Sequence, residues 1–290
     1  MKNKLWLLMV PALVFANAAA AEDDFYDDNG SEYGWRANLK KASLEVSSTD
    51  VKNAKEYKNS PDSRLSSDSE TVTKGVFDFS LDYNQADYLW SNSLFAEYGK
   101  TKIKPVDGPD VTSENSDKIL LSTDYSRKVW RFWDADVGPF ARAEYQTEFE
   151  KNDDAPLTKI ARGLAGMKMF EGQYIKEFYV AGVGEYDFTY SDHVSKYGYQ
   201  IGLKAEYPFR EGVKFDVDTY FRDFVGYSRY NAKDFEYEFN FTGRMLVNIY
   251  NNLAFGPYVQ YLRAQDRGSK KYGSSTIIGV AVDYSGLWNL

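Results

Sequence analysis

The 290-residue chain has no cysteine. That excludes disulfides, thiolate metal sites and lipidation of a mature N-terminal cysteine. It has a single histidine, His193, which leaves transition-metal chelation poorly provided for. It has no basic excess, since 43 Asp and Glu face 35 Lys and Arg for a net charge of -8. An acidic balance excludes nucleic acid as a partner, whose phosphates need a basic footprint. Beyond Ala21 there is no long apolar run, which excludes a membrane helix. The second half has no linker rich in proline, glycine or serine, so the body of the chain reads as one domain.

What is present begins with a secretory signal over residues 1–21. Lys2 and Lys4 form its charged region, Leu5 to Ala16 its apolar region, and Ala18 to Ala21 offers Ala-x-Ala cleavage before Glu22. The apolar run is too short to cross a bilayer as a helix, which disfavours the alternative of an uncleaved anchor. Residues 22–32 are an acidic segment carrying Asp23, Asp24, Asp27 and Asp28.

From residue 33 to 290 the pattern is alternation with a period of two. Phe77, Phe79, Leu81 and Tyr83 alternate with Asp78, Ser80, Asp82 and Asn84. Tyr197, Tyr199, Ile201, Leu203, Ala205 and Tyr207 alternate with Gly198, Gln200, Gly202, Lys204 and Glu206. The last segment keeps Ile278, Val280, Val282, Tyr284, Trp288 and Leu290 on one face up to the terminus, as a closing strand would. The spacing predicts about twelve strands, near 33–47, 72–84, 88–103, 116–128, 131–149, 157–169, 174–190, 195–209, 212–225, 233–249, 252–266 and 274–290. Short links such as Arg210–Glu211 and Tyr250–Asn251 alternate with longer ones such as Ser48–Thr71 and Arg267–Gly273. The longest, Ser48–Thr71, is polar and expected to be mobile.

The expected fold is therefore all-β, an antiparallel transmembrane barrel of about twelve strands. The alternative, a soluble sandwich or ligand-binding barrel, turns its apolar face inward. Three features favour the membrane: long strands, many charges on the polar face, and the terminal strand. A mean hydropathy of -0.55 fits a barrel in which only alternate residues meet lipid. Aromatics make up 17% of the chain, which suits interfacial girdles.

If the apolar set faces lipid, the other set lines the lumen. Its candidates are Asp78, Asp82, Glu97, Arg142, Glu144, Lys204, Glu206, Asp216, Asp218, Arg222, Glu236, Glu238 and Arg244. Two readings stay open. Charge rings would favour cationic or polar solutes in a narrow pore. Alternatively, opposite charges pair in ladders and fill the lumen. No catalytic, metal or cofactor site is picked out. His193 sits in a tight link with Ser191, Asp192 and Ser195, but neighbours in sequence do not assemble a triad. Asp107, Asp110 and Asp153–Asp154 fit no calcium-loop spacing.

Three stretches resemble a family of uncharacterised bacterial outer-membrane barrels known only as a domain of unknown function. They are Trp35–Ser48, Leu89–Lys128 (LWSNSLFAEYGKTK, then SDKILLSTDYSRK) and Asp234–Asn252 with its RMLVNIYNN. The chain also resembles small outer-membrane channels in general, including those for acidic oligosaccharides, although its acidic lumen face departs from their Arg- and Lys-lined pores. The resemblance implies a location in the outer membrane of a Gram-negative bacterium. From the barrel reading, lipid and the barrel-assembly machinery, met through the C-terminal strand, are the expected partners, and no cofactor is expected. The leading expectation is a narrow channel for small polar solutes. The alternative is a non-conducting structural or surface-interaction barrel, and an outer-membrane hydrolase ranks last.

Overall fold

A computed structural model describes residues 33–57, 60, 62–65, 71–103, 111–151 and 156–290. The signal at 1–21, the acidic segment at 22–32 and the loop aspartates Asp107, Asp110, Asp153 and Asp154 lie outside the described residues.

The described chain is almost entirely strand: β1 (Gly34–Lys52), β2 (Thr71–Asn84), β3 (Tyr88–Ile103), β4 (Val111–Arg127), β5 (Trp130–Phe132), β6 (Ala135–Thr147), β7 (Ile160–Phe170), β8 (Ile175–Asp187), β9 (Val194–Arg210), β10 (Val213–Tyr227), β11 (Phe235–Tyr250), β12 (Leu253–Asp266) and β13 (Gly273–Asn289). Each long strand pairs antiparallel with its sequence neighbours, and β4 pairs with β6 across the short β5 hairpin. β1 pairs with both β2 and β13, from Arg36 opposite Asn289 to Lys52 opposite Ser274. The sheet thus closes on itself with twelve staves, β5 being a three-residue appendage in a turn. Closure removes both sheet edges, which a bilayer does not tolerate.

The staves run from 11 residues in β7 to 19 in β1, enough for a tilted crossing that needs about 9–11. The start of β1 and the end of β13 lie together at one end of the barrel, where Leu290 N donates to Trp35 O at 2.9 Å. The tight turns lie at that same end. Glu211–Gly212 and Asn251–Asn252 are the tightest, and Gly212 and Asn251 take the left-handed backbone there, at φ 70° and 46°. The other end carries the longer links at 53–70, 104–110, 148–159, 228–234 and 267–272. β1 continues to Lys52, so the expected Ser48–Thr71 loop is shorter, at residues 53–70.

The outer surface is greasy. Leu44 and Ile278 remain 57% and 62% exposed, which a soluble protein would not maintain in a continuous band. This band is bounded by aromatics at both ends. At the turn end Trp35 packs on Tyr83 and Trp90, and Tyr88 on Tyr125. At the loop end Tyr145 packs on Phe188, Tyr199 on Phe221, and Phe239 on Tyr261. Two aromatic girdles around an aliphatic belt are the signature of a membrane barrel.

The interior differs from a simple charged face. Phe140, Leu164, Tyr179, Ala181, Val183 and Phe224 form a buried cluster inside the barrel. They share parity with Arg142, Arg162, Glu185 and Arg222, so the lumen is amphipathic and filled by both kinds of side chain. Rings lie against cations: Arg142 is 5.2 Å from the Tyr179 centroid, and Arg244 is 5.0 Å from that of Tyr258. Such contacts keep desolvated guanidinium groups favourable beside apolar surface.

Candidate functional site: the barrel lumen

The alternation of charge along each strand puts ionised groups inside, and antiparallel registry then sets them side by side. Glu45 on β1 meets Lys74 on β2 at 3.3 Å, and Lys74 meets Glu97 on β3 at the same distance. Arg244 on β11 pairs with Glu45 and reaches Asp283 on β13 at 3.2 Å. A second network joins Arg142 to Asp124 and Glu177 at 2.7 and 2.8 Å, with Lys168 on Asp124 at 2.6 Å. A third joins Arg162 to Glu144 and Glu185 at 2.8 and 2.7 Å, and Lys196 to Glu185 at 2.6 Å. Arg222 bonds Gln200 and Glu238 at 2.7 and 2.8 Å. These networks match the ladder arrangement. They are also what low-dielectric burial demands, because a lone charge there is costly.

One sector remains wet. Lys204 and Asp218 face each other at 3.6 Å, yet their side chains are 43% and 55% exposed. Their strand parity is that of Glu177 and Arg222, which face inward. Their solvent is therefore lumen water. Lys214, 3.5 Å from both Glu206 and Asp216, adjoins this sector toward the turn end. Asp78 shares its inward face with Asp82 and is the register partner of Lys41. Asp82 accepts from Ser80 at 3.3 Å and lies 3.9 Å from Arg36.

Glu236 departs from the expectation. The β11–β12 register slips between Phe235 and Tyr237, leaving Glu236 as the extra residue of a bulge. It is exposed while Phe235 turns in, so simple parity assigns it the wrong face.

Both ends of the lumen are narrowed. At the turn end Arg36 of β1 pairs with Glu171, in the β7–β8 turn on the opposite wall. Lys128 joins Glu171 at 3.2 Å and Asp136 at 3.4 Å. Burial opposes ionisation of Glu171, but Arg36 and Lys128 outweigh it and hold the carboxyl below the ordinary range. At the loop end Tyr57 and residues 62–65 pack inward, where a solvated surface loop is expected. Tyr57 and Leu65 are fully buried against Phe235, Leu262 and Ala264. The Tyr57 hydroxyl reaches Lys271 O at 2.7 Å and Ala264 O at 3.2 Å. Beyond it, a short 3₁₀ turn (Ser63–Leu65) carries Arg64 to the barrel wall beside Ser47, Thr49, Lys74 and Ile277. Asp62 clamps that guanidinium with bonds of 2.9 and 2.7 Å. The gap left beside Arg64 is about 10 Å³, room for roughly one water.

The inward roles of Tyr57 and Arg64 are not legible in the sequence pattern. The signal available was an aromatic and a Arg-Leu pair inside an otherwise polar loop. His193 lies outside the lumen networks, its Nδ1 2.8 Å from the Tyr186 hydroxyl in an exposed pair. Among the described residues no cluster of three or more His, Asp or Glu is arranged to hold a metal.

No curated protein matches the sequence. Among solved structures, an outer membrane channel from Pseudomonas putida is 11% identical, with 92% of this chain and 100% of that one covered and a TM-score of 0.47. Outer membrane phospholipase A from Escherichia coli is 10% identical over 89% and 93%, at 0.45. The channel DcaP of Acinetobacter baumannii is 8% identical over 90% and 99%, at 0.42. Residues 66–152 match the model of a family described as a protein of unknown function, DUF3078. That match contains the Leu89–Lys128 motifs, whereas Trp35–Ser48 and Asp234–Asn252 fall outside it. The chain is a closed barrel of twelve antiparallel staves, and its residues 66–152, from β2 to β6, match the DUF3078 model.

Proposed function

We propose that this barrel sits in the outer membrane of a Gram-negative bacterium as a narrow channel for small polar solutes, held closed by its own 53–70 loop. The observation that carries this is the seating of Tyr57 and Arg64 inside the loop-end mouth, above a sector where the inward side chains of Lys204 and Asp218 stay solvent-accessible. A plug held only by non-covalent contacts is a removable one. The loop end is the extracellular end in this reading, as single-chain bacterial barrels place their short turns in the periplasm. Lipid surrounds the aliphatic belt, and β13 is the strand offered to the assembly machinery. The reading is of a non-enzymatic barrel.

The test is conductance in planar bilayers. The native protein should be silent or show rare small steps. A variant lacking residues 53–70 should show frequent discrete steps with a weak cation preference, since acidic groups outnumber basic ones in the wet sector. A silent loop-deleted barrel that is fully folded by circular dichroism would discard the channel. The ion-pair ladders would then fill the lumen by themselves, and the non-conducting structural barrel would stand in its place.

A further inference from the structure

Two carboxylates at the loop end each keep one buried oxygen without a partner, although Oδ1 of Asp234 accepts from Asn231 Nδ2 at 3.2 Å and lies 3.8 Å from Lys196. Asp266 ends β12 on its inward face and is 7% exposed. Asp234, just before β11, is 6% exposed. Oδ1 of Asp266 and Oδ2 of Asp234 are buried and have no hydrogen-bond partner. The two residues are held together by the backbone: Arg267 N donates to Asp234 O at 3.0 Å, and Phe235 is the register partner of Asp266. Proteins seldom leave two buried carboxylates side by side, because each raises the cost of ionising the other.

Lys196 and Arg267 are engaged elsewhere, while Lys233, Lys270 and Lys271 border the neighbouring cavity. Lys196 lies 3.8 Å from Asp234 but 2.6 Å from Glu185. Arg267 turns its guanidinium to Phe224 O at 3.0 Å and onto the Tyr227 ring at 4.1 Å. Glu185 and Asp187 add further negative charge within reach of Asp234. A cavity of about 570 Å³ opens beside Asp266, bordered by Glu56, Lys233, Ser269 and Lys271. Lys271 is tied to Glu56 at 2.8 Å.

We propose that Asp234 and Asp266 form a binding site for one hard divalent cation, calcium or magnesium, at the loop end of the barrel. The donors are carboxylate oxygens, which select hard ions, and no sulfur or imidazole lies among them. Two carboxylates leave coordination positions for water from the adjoining cavity. So few charged ligands place the dissociation constant at roughly 10⁻⁴–10⁻³ M. The Tyr57 hydroxyl lies 3.3 Å from Asp266 N, so the ion sits beside the residue that anchors the 53–70 loop. The site stands or falls independently of whether the barrel conducts.

The experiment uses the full folded chain in detergent micelles. Terbium serves as the probe, its luminescence sensitised by Tyr57, with calcium as competitor. Saturable luminescence displaced by millimolar calcium is expected, with affinity falling at least about tenfold in both Asp234→Asn and Asp266→Asn. Calcium should also raise the thermal midpoint of the native protein and leave both variants unmoved. Absence of saturable terbium binding overturns the proposal, as does binding equally strong in the variants, which would put the ion on surface acids. Should either variant fail to fold, the native protein decides alone. Identical thermal midpoints with calcium and with chelator would mean that the two carboxylates share a proton instead, and the proposal would fall.

Discussion

Arg244 shows what single residues contribute. It is buried between Glu45, which is fully buried, and Asp283, with the Tyr258 ring against its guanidinium. Arg244→Met keeps much of the volume but takes the ion-pair partner from Asp283 and leaves Glu45 with Lys74 alone in a low dielectric. The expected loss is about 3–5 kcal/mol, read as a lower urea midpoint in micelles. Glu171 makes a pH prediction. Its carboxyl is held low against burial by Arg36 and Lys128, so it binds fewer protons folded than unfolded. Its contribution is complete above the unfolded carboxyl value of about 4.3 and is lost as pH falls through the lower folded value. Glu171→Gln should therefore cost roughly 1.5–3 kcal/mol at neutral pH and converge with the native protein in acid. A gap that stayed constant with pH would show that the ion pair is not the cause. At this scale the sequence was informative about charge, because Asp, Glu, Lys and Arg recur at one parity. It was less so about inward aromatics. Phe140 and Tyr179 share the parity of Arg142 and Glu177, but alternation alone does not say which rings leave the lipid face for the lumen.

At the scale of elements, most strands were legible. β3 runs from Tyr88 to Ile103, as the period-two pattern predicts, because the one slip in its ladders, at Gly99–Lys100, puts its extra residue on β4. β1 and β11 were harder to read. The β1–β2 register slips between Leu39 and Lys41, and the β11–β12 register slips around Glu236, and each slip inverts the facing of everything on one side of it. A bulge has no reliable signature in one sequence, so parity alone places Glu236 inward. The segment read as one strand at 131–149 splits into β5 and β6 because Trp133 takes a left-handed backbone at φ 54° in the turn between them. The 53–70 loop is the largest departure. Its polar composition predicts a solvated excursion, but burial of Tyr57 and Leu65 outweighs that tendency. Tyr57→Ala removes a fully buried ring and its hydroxyl contacts, a loss of about 3–5 kcal/mol of loop docking. Protease cleavage within 53–57 should speed up in that variant while the barrel itself resists digestion.

For the whole molecule, the account depends on which face of each stave meets lipid. Closure by β1 and β13, two aromatic girdles and an exposed aliphatic belt all follow from that one assignment. The absence of cysteine makes it directly measurable, since any introduced thiol is unique. Val217 and Asp218 are adjacent on β10, with Asp218 in the wet sector and Val217 on the opposite face. Val217→Cys and Asp218→Cys, each carrying an environment-sensitive fluorophore, are to be reconstituted in vesicles with brominated acyl chains. The label at 217 should be quenched by the lipid and the label at 218 by a water-soluble quencher instead. Equal lipid quenching at both positions, or none at 217, would contradict the barrel's orientation in the membrane.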